Sequence, residues 1–166
     1  MQAKLKLYIN FSNLFSFLYN ITMKKVLDLF NRKFPILIGL YYFLFKQDVS
    51  LGWYIISIII NLFLKQCMFK PVMGDKVFPI IGKGGRPNSN LKTYGMPSGH
   101  AQAVAFLVAD QYMKGNKYWP LIFLLSLEIC YSRIVNGHHT IQQIIAGYII
   151  GIMLYLFIHK NVMKIN

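Results

Sequence analysis

The stretch from Leu51 to Phe69 constrains the fold of this chain more than any other feature of its sequence. It is a mostly apolar run of 19 residues, and as a helix it would be about 28 Å long. That length matches the hydrocarbon layer of a bilayer, which is about 30 Å thick. A second run, Ile141 to Ile158, has a similar length, and its Gly147 and Gly151 form a small-residue face suited to close helix contact. The sequence therefore predicts helices that cross a membrane.

Four further apolar stretches complete a predicted layout of about six transmembrane helices. They are Leu5 to Ile21, Phe34 to Phe45, Ala101 to Met113 and Tyr118 to Tyr131. Polar residues interrupt the first of them, so residues 1–22 are either a weak first span or an interfacial helix. We predict an all-α, polytopic membrane helix bundle that forms a single domain over residues 1–166, and hence a multi-pass integral membrane protein.

The charge of the chain agrees with a membrane protein. Only 14% of its residues are charged, against about 25% in soluble domains. Eighteen basic residues stand against five acidic ones, which gives a net charge of +13. The basic residues fall between apolar runs and are not interleaved with aromatic residues as in a nucleic-acid-binding surface. We expect membrane lipids and a phosphorylated lipid as partners, and no nucleic acid.

Four residues in or near the apolar runs need an explanation of their own. Cys67 and Cys130 are expected to be buried apolar residues, because two cysteines provide neither a disulfide framework nor metal-ligand spacing. Asp110 and Glu128 lie outside the motifs described below. We expect them to form hydrogen bonds between helices or to lie near the membrane interface.

A polar, glycine-rich segment, residues 70–97, separates the third and fourth predicted helices and is predicted to be a loop. It contains the motif GKGGRPN, residues 82–88. A short connection, residues 133–140, joins the fifth and sixth helices. Because successive helices alternate in direction, the loop and this connection should emerge on the same side of the membrane.

The motif YGMPSGHAQ, residues 94–102, lies at the start of the fourth predicted helix. Pro97 keeps Met96 out of the helical conformation, and Ser98 is a good N-cap. The free N–H groups at such a helix start can bind an anion. Taken alone, the motif fits a capped membrane helix with an incidental histidine equally well.

The third motif, YSRIVNGHHTIQQ, joins the last two predicted helices. Arg133 and His139 are separated by five residues, across a predicted turn at Asn136–Gly137. His139 and Gln143 are four residues apart, so they share one helix face and the amide can orient the imidazole. His138 is expected to point elsewhere and to take no part.

Two histidines and two arginines thus converge at one predicted membrane face. The planar guanidinium of arginine matches the oxygens of a phosphate group. The three motifs contain no carboxylate, and they lack the ligands that a zinc or magnesium site needs. We expect a phosphate-binding site that uses no metal and no other cofactor.

The order of GRP, PSGH and SR-five-residues-His resembles the three signature motifs of the type 2 phosphatidic acid phosphatase (lipid phosphate phosphatase) superfamily. The resemblance covers residues 51–158. In the detailed residue patterns of the second and third motifs, YGMPS-x-H-x-Q and YSR…HT…Q, the chain is most similar to the dolichyl-diphosphatase-like branch. The resemblance implies a membrane phosphatase that hydrolyses lipid phosphates or polyprenyl diphosphates.

The resemblance also implies a role for each motif residue. His139 would attack the phosphorus and form a phosphohistidine, and His100 would protonate the leaving oxygen and then help to activate water. Gln143 would replace the aspartate that orients this histidine in most of the superfamily. The residues that would hold the phosphoryl oxygens are Arg86, Arg133, Ser98 and Gly99, the last through its amide.

Besides Gln143, the spacing of the first motif departs from the family pattern. The first motif has a lysine, six residues and then RP, but here Pro79 stands seven positions before Arg86. Lys65, at the end of the third predicted helix, is the preferred equivalent, and an insertion of about 14 residues explains its distance from Arg86. Lys76 and Lys83 are the alternatives.

The sequence leaves two other functions open. A lipid phosphotransferase would use a similar histidine pair to pass a head group to an alcohol, and an inert membrane scaffold would keep the motifs without catalysis. The sequence specifies neither the lipid, nor the membrane, nor the oligomeric state, nor the side of the membrane that the active site faces.

Overall fold

The structure is a computed structural model that describes residues 25–26, 28–44, 49–74, 76–78, 82–87 and 94–163. The predicted stretch Leu5 to Ile21 and parts of the predicted loop 70–97 lie outside the described residues. The chain divides into two compact units, Met1–Lys33 and Phe34–Asn166. In the first unit, residues 25–26 and 28–33 are helical, and Asp28 pairs with Arg32 at 2.8 Å.

The described part of the second unit contains five main helices and one short hairpin. The helices are α1 (34–44), α2 (Val49–Phe63), α3 (Gly99–Met113), α4 (Trp119–Val135) and α5 (Ile141–Ile158). A π-helical segment, Leu64–Phe69, and a last turn, Lys70–Met73, continue α2, and a π-helical segment, His159–Met163, continues α5. Strands β1 (Val77–Phe78) and β2 (Gly82–Lys83) pair in antiparallel orientation.

Helix α3 is the central helix of the second unit. Every residue from Ala101 to Gln111 is buried, and the helix packs against α2, α4 and α5. A helix without a wide polar face can be buried on all sides, and the sequence AVAFLVA has no such face. Near its middle, the ring of Phe106 meets Tyr54 and Tyr155 edge-on, with centroids 6.0 and 5.3 Å away.

Two glycines of α5 allow it to pack closely against α3. A Cβ atom at Gly147 would collide with the backbone oxygen of Ser98, and one at Gly151 with that of Gln102. The Ser98 N–H also donates to the Gln143 carbonyl at 3.0 Å. The predicted small-residue face is therefore confirmed, and it holds the start of α3 against the start of α5.

The outer faces of α2 and α5 are apolar and exposed. Ile55, Leu62 and Met153 each leave about half or more of their surface uncovered. Leu51–Met73 and Ile141–Asn161 are helices long and apolar enough to cross a membrane. A core helix of a soluble protein would bury this surface, so its exposure favours contact with lipid. The layout is mostly helical as predicted, and the count of about six spans stays a prediction.

The segment 70–97 is more ordered than a simple loop. Lys70–Met73 is helical and continues α2, with Pro71 at its second position. The helix ends at Gly74, whose φ of 52° suits glycine. The hairpin of β1 and β2 then pairs backbone groups that an open loop would leave to water.

The residues that we singled out among the apolar runs behave in two ways. Cys130 is buried as expected, but Cys67 is exposed, because it lies on the outer side of the π-helical segment. Asp110 is fully buried, accepts a hydrogen bond from Tyr42 of α1 at 2.9 Å and pairs with Lys114 at 2.9 Å. A hydrogen bond between helices is thus confirmed for Asp110, while the role of Glu128 stays a prediction.

Candidate active site

The start of α3 is a capped helix terminus that lines the same cavity as Lys65 and Arg86. Ser98 is fully buried and extended, and its hydroxyl accepts from the Ala101 N–H at 3.4 Å, which confirms the predicted cap. The backbone at Gly99 is close to α2: a Cβ built there would lie 2.9 Å from Asn61 Oδ1 and 3.7 Å from Lys65 Nζ. Glycine at this position therefore lets the helix start pack closely against Asn61, with Lys65 beside it.

The connection between α4 and α5 is held together by its own backbone. Gly137 has a φ of 66° and forms the predicted turn. The N–H groups of His138 and His139 both donate to the carbonyl of Arg133, at 3.0 and 3.1 Å. Thr140 then caps α5. These short-range bonds fix Arg133 and His139 on either side of one turn.

The His139 imidazole is buried and contacts a polar group through each ring nitrogen. Its Nδ1 lies 2.9 Å from Gln143 Oε1, and its Nε2 lies 3.2 Å from Arg86 Nη1. A guanidinium can only donate, and an amide oxygen can only accept. These partners therefore assign the proton to Nδ1 and leave a lone pair on Nε2.

The orientation of the Gln143 amide supports this assignment. Its Nε2 lies 2.8 Å from the Lys83 carbonyl and 2.7 Å from the Gly85 carbonyl, so that end must be the NH2 group. Its Oε1 also accepts from the Thr140 N–H at 3.3 Å. A flipped amide would place oxygen against carbonyl oxygens, which is unfavourable.

Arg86 joins the loop after β2 to the α4–α5 connection. Besides contacting His139, its Nη1 donates to the His138 carbonyl at 3.0 Å. His138 thus takes part in the site through its backbone, although we expected this residue to play no part. Burial lowers the pKa of Arg86 from its usual value, but a guanidinium stays charged at neutral pH.

The surroundings of His139 keep its ring neutral. Burial lowers the pKa of the imidazole to about 2, and the charges of Arg86, Lys65 and Arg133 act in the same direction. The hydrogen bond with Gln143 acts in the opposite direction but is outweighed. Both dominant causes disfavour an added positive charge. The ring therefore carries its nucleophilic lone pair over the whole physiological pH range.

Of the three lysines considered for the first motif, only Lys65 reaches the site within the part of the chain that the structure describes. Its side chain is buried and lies close enough to His139 to affect its pKa. The side chains of Lys76 and Lys83 are exposed, and Lys83 contributes its backbone carbonyl instead. Lys65 lies in the π-helical segment, a type of distortion often found at functional sites.

A cavity of about 280 Å3 opens beside these cations. Its polar wall includes His100, Lys65 and Arg86, and Arg86 also contacts His139. The second imidazole of the predicted pair is therefore in a pocket that shares Arg86 with the first. The apolar wall of the same cavity is formed by Pro35, Ile58, Leu62 and Ala103. A phosphate group and an apolar chain would each find a matching surface here.

Residues 49–166 match the model of the PAP2 superfamily. The chain belongs to this superfamily. The match spans all three motifs and helices α2 to α5, and it therefore includes the site described above.

Two curated relatives of this PAP2 chain are dolichyldiphosphatases. Dolichyldiphosphatase 1 of Dictyostelium discoideum is 33% identical over 128 residues, which cover 67% of this chain and 52% of the relative. Dolichyldiphosphatase of Saccharomyces cerevisiae is 28% identical over 146 residues, which cover 70% of this chain and 61% of the relative. The chain thus spans little more than half the length of these relatives.

A solved structure shares the fold of the PAP2 chain. The crystal structure of Aquifex aeolicus LpxE aligns with a TM-score of 0.55 and covers 81% of this chain and 86% of its own. Sequence identity is 20%, so this likeness concerns the fold alone. It supports the helical architecture, and the roles of individual residues stay predictions.

One polar network of the PAP2 site was missed in the sequence. Asn61 Nδ2 donates to Gln102 Oε1 at 2.7 Å, and Gln102 Nε2 donates to the Ser57 carbonyl at 2.7 Å. All three residues are buried, and Asn61 and Gln102 line the cavity. The available signal was an asparagine inside an apolar span, one turn before Lys65. The network leaves Asn61 Oδ1 directed at the start of α3.

Proposed function

We propose that this chain is an integral membrane phosphatase that hydrolyses lipid phosphates or polyprenyl diphosphates through a phosphohistidine on His139, without a metal ion. One observation carries the proposal: the Nε2 lone pair of a neutral, buried His139 faces the guanidinium of Arg86 at 3.2 Å. A phosphoryl oxygen that takes over this Arg86 N–H would free the lone pair to attack the phosphorus. Membership of the PAP2 superfamily supports this chemistry, and two relatives named dolichyldiphosphatase favour a polyprenyl diphosphate.

The first half of the reaction transfers the phosphoryl group to the protein. Three cations, Lys65, Arg86 and Arg133, surround the site and would bind its oxygens, together with the first amides of α3. Nε2 of His139 forms a bond to phosphorus while the bond from phosphorus to the leaving oxygen breaks. His100 gives its proton to that oxygen. Fixed donors stabilise the charge that develops in the transition state.

The second half releases phosphate. His100, now neutral, takes a proton from water as the water oxygen bonds to phosphorus and the bond to His139 Nε2 breaks. Both histidines return to their starting forms, so the cycle is balanced. Throughout, the Nδ1–H of His139 stays bonded to Gln143, which keeps the ring in one orientation.

The apolar wall of the cavity suits a substrate that stays in the membrane. Ile58 and Leu62 lie on α2, whose outer face is apolar and exposed. A lipid whose phosphate reaches the cations would lay its chain along this wall without crossing water. A soluble phosphate ester would gain nothing from the same surface, since burial of apolar area is what favours the lipid.

The test is phosphate release by the purified protein in detergent from a panel of phosphatidate, sphingoid phosphate and polyprenyl diphosphates. We expect His139→Ala to lower release at least ~10⁴-fold, as for loss of a covalent nucleophile. His159→Ala is the matched control, because His159 lies about 30 Å along α5 from the site and should leave release unchanged.

Two results would contradict the proposal. Wild-type protein that releases no phosphate from any lipid, while binding them, would indicate a scaffold. Labelled phosphate that appears on a second lipid, and not as free phosphate, would indicate a phosphotransferase.

A further inference from the structure

Gln143 is fully buried and uses both ends of its amide. The NH2 group donates to the carbonyls of Lys83 and Gly85, at 2.8 and 2.7 Å, and lies 3.3 Å from the carbonyl of Gly84. The oxygen accepts from the Nδ1–H of His139 and from the Thr140 N–H. Two donors and two lone pairs are thus all engaged, which is the full capacity of a glutamine amide.

The carbonyls that Gln143 holds directly precede Arg86 in the chain. Arg86 returns to His139 on its other side, at Nε2. A closed path therefore runs from Nδ1 of His139, through Gln143 and the backbone of residues 83–85, to Arg86 and back to Nε2. One side chain connects the nucleophile with the loop that carries its phosphate-binding cation.

The backbone around this path is built to admit the amide. A Cβ at Gly95 would lie between 2.6 and 2.8 Å from the side-chain amide of Gln143. The Met96 N–H also donates to the Gly84 carbonyl at 3.1 Å, which links the loop to the start of α3. Glycine at 95 is therefore required for the amide to reach the loop.

A carboxylate at position 143 would not replace this amide. Carboxylate oxygens only accept hydrogen bonds. One of them would still accept from His139, but the other would face the carbonyls of residues 83–85. Such an arrangement leaves buried acceptors without donors and adds charge repulsion. The loop would move away, and Arg86 would move with it.

We propose that Gln143 is a positioning residue that couples the loop of residues 82–86 to the nucleophile, and that an acidic residue at this position disrupts the coupling. The proposal rests on the proposed function of His139 and deepens it. It gives the glutamine a role that an aspartate cannot perform. In this chain the neutral amide is then a requirement of the site, and charge at position 143 is not an improvement.

The test compares Gln143→Glu with Gln142→Glu in the full chain. The first variant keeps length and shape and keeps an acceptor for His139, but it replaces the amide donors with a negatively charged oxygen. We expect kcat/KM for a polyprenyl diphosphate to fall at least about tenfold, chiefly through a raised KM because Arg86 is displaced. The exposed Gln142 carries the same change of charge one residue earlier, and its variant should stay within about twofold of wild type.

Two readouts separate coupling from a general loss of structure. Amide hydrogen exchange should rise in the peptide containing residues 82–87 of Gln143→Glu and stay unchanged within α3. The activity of this variant relative to wild type should also recover as the pH falls, because a protonated carboxyl group can donate to the carbonyls again.

Full activity of Gln143→Glu at all pH values, or unchanged exchange in the loop, would overturn the proposal. Should this variant not fold, Gln143→Met carries the test, since it removes the donors without adding charge; unchanged exchange in its loop overturns the proposal equally. The exchange measurement does not depend on catalysis. A wild-type protein without phosphatase activity would therefore refute the proposed function and leave the coupling to be judged on exchange.

Discussion

The α4–α5 connection and the α2–α3 segment each bring a cation to His139, but by different means. Arg133 is fixed by bonds that span a few residues, since its carbonyl accepts from the N–H groups of His138 and His139. Arg86 depends on Gln143, which lies more than fifty positions away and holds the preceding backbone. One half of the site is therefore a local structure, whereas the other half forms only through packing between distant segments.

The largest of these effects is the expected loss of kcat at His100, a residue that both halves of the site would need for turnover. His100→Ala removes the proposed acid and leaves His139 and the residues of the loop unsubstituted. We expect kcat to fall about 10²–10⁴-fold, which is the usual contribution of positioned acid–base catalysis. Because the same residue would activate water, labelled phosphate should accumulate on the protein from a diphosphate substrate. A variant that turns over normally and never carries label would remove His100 from the mechanism.

The next effect separates the two cations. Arg86→Ala should lower kcat/KM about 10²–10³-fold, as for the loss of one donor to a transition state. Arg86→Lys should restore little, because an ammonium lacks the planar fork that reaches both His139 and a phosphoryl oxygen. Arg133→Ala should cost activity on the same scale and leave the connection intact, because alanine keeps the carbonyl that accepts from His138 and His139. If Arg86→Lys were fully active, charge alone would explain Arg86, and its geometry would not matter.

His139, in the local half of the site, should make the stability of the protein depend on pH. The pKa of His139 is lowered to about 2 in the folded protein, from an ordinary value of 6.5. Below pH 6.5 the unfolded chain takes up a proton that the folded chain does not, so stability falls as the pH falls.

Relative to His139→Gln, the wild type should lose about 1.6 kcal/mol of unfolding free energy between pH 6.5 and 5, because the slope rises from about 0.7 to about 1.4 kcal/mol per pH unit as the unfolded imidazole becomes protonated. Denaturant unfolding in detergent at several pH values measures this difference. Parallel pH profiles of the two proteins would show that His139 is not held neutral.

The smallest effect compares two turns of the same geometry. Gly115 and Gly137 both have a φ of 66° and open space around their Cα atoms. Alanine at either position should cost about 1 kcal/mol of stability, because an L-residue is strained there. Gly137→Ala should also lower kcat/KM severalfold, since the turn leads into His138 and His139. Equal activity of the two variants would mean that the turn does not position the nucleophile.

Motif spacing predicted the features that lie within one or two turns of helix. The cap at Ser98 and the turn at Gly137 follow from local geometry, and the structure has both. His139 and Gln143 were predicted to share a helix face; their side chains meet at 2.9 Å, but His139 precedes the cap residue Thr140 and lies outside α5. The small-residue face of α5 was also readable, because glycines spaced four apart must lie on one side.

Other features could not be predicted from the sequence, because they depend on contacts between residues far apart in the chain. Cys67 was expected inside and is exposed, since an apolar run does not state which of its sides faces the bundle. The hairpin in the glycine-rich segment was missed, as was the network of Asn61, Gln102 and Ser57. The polar groups of the network have partners more than forty positions away. The two strands of the hairpin pair across a turn that the sequence analysis did not predict.

The apolar helices, the capped helix start and the pairing of a histidine with an amide four residues later could all be read from the sequence, because backbone geometry fixes contacts at such short range. Helix packing alone selects Lys65, and neither Lys76 nor Lys83, as the lysine beside His139, and brings the amide of Gln143 to the loop of Arg86. Those contacts arise where α2, α3 and α5 pack, and their partners have no fixed separation along the chain.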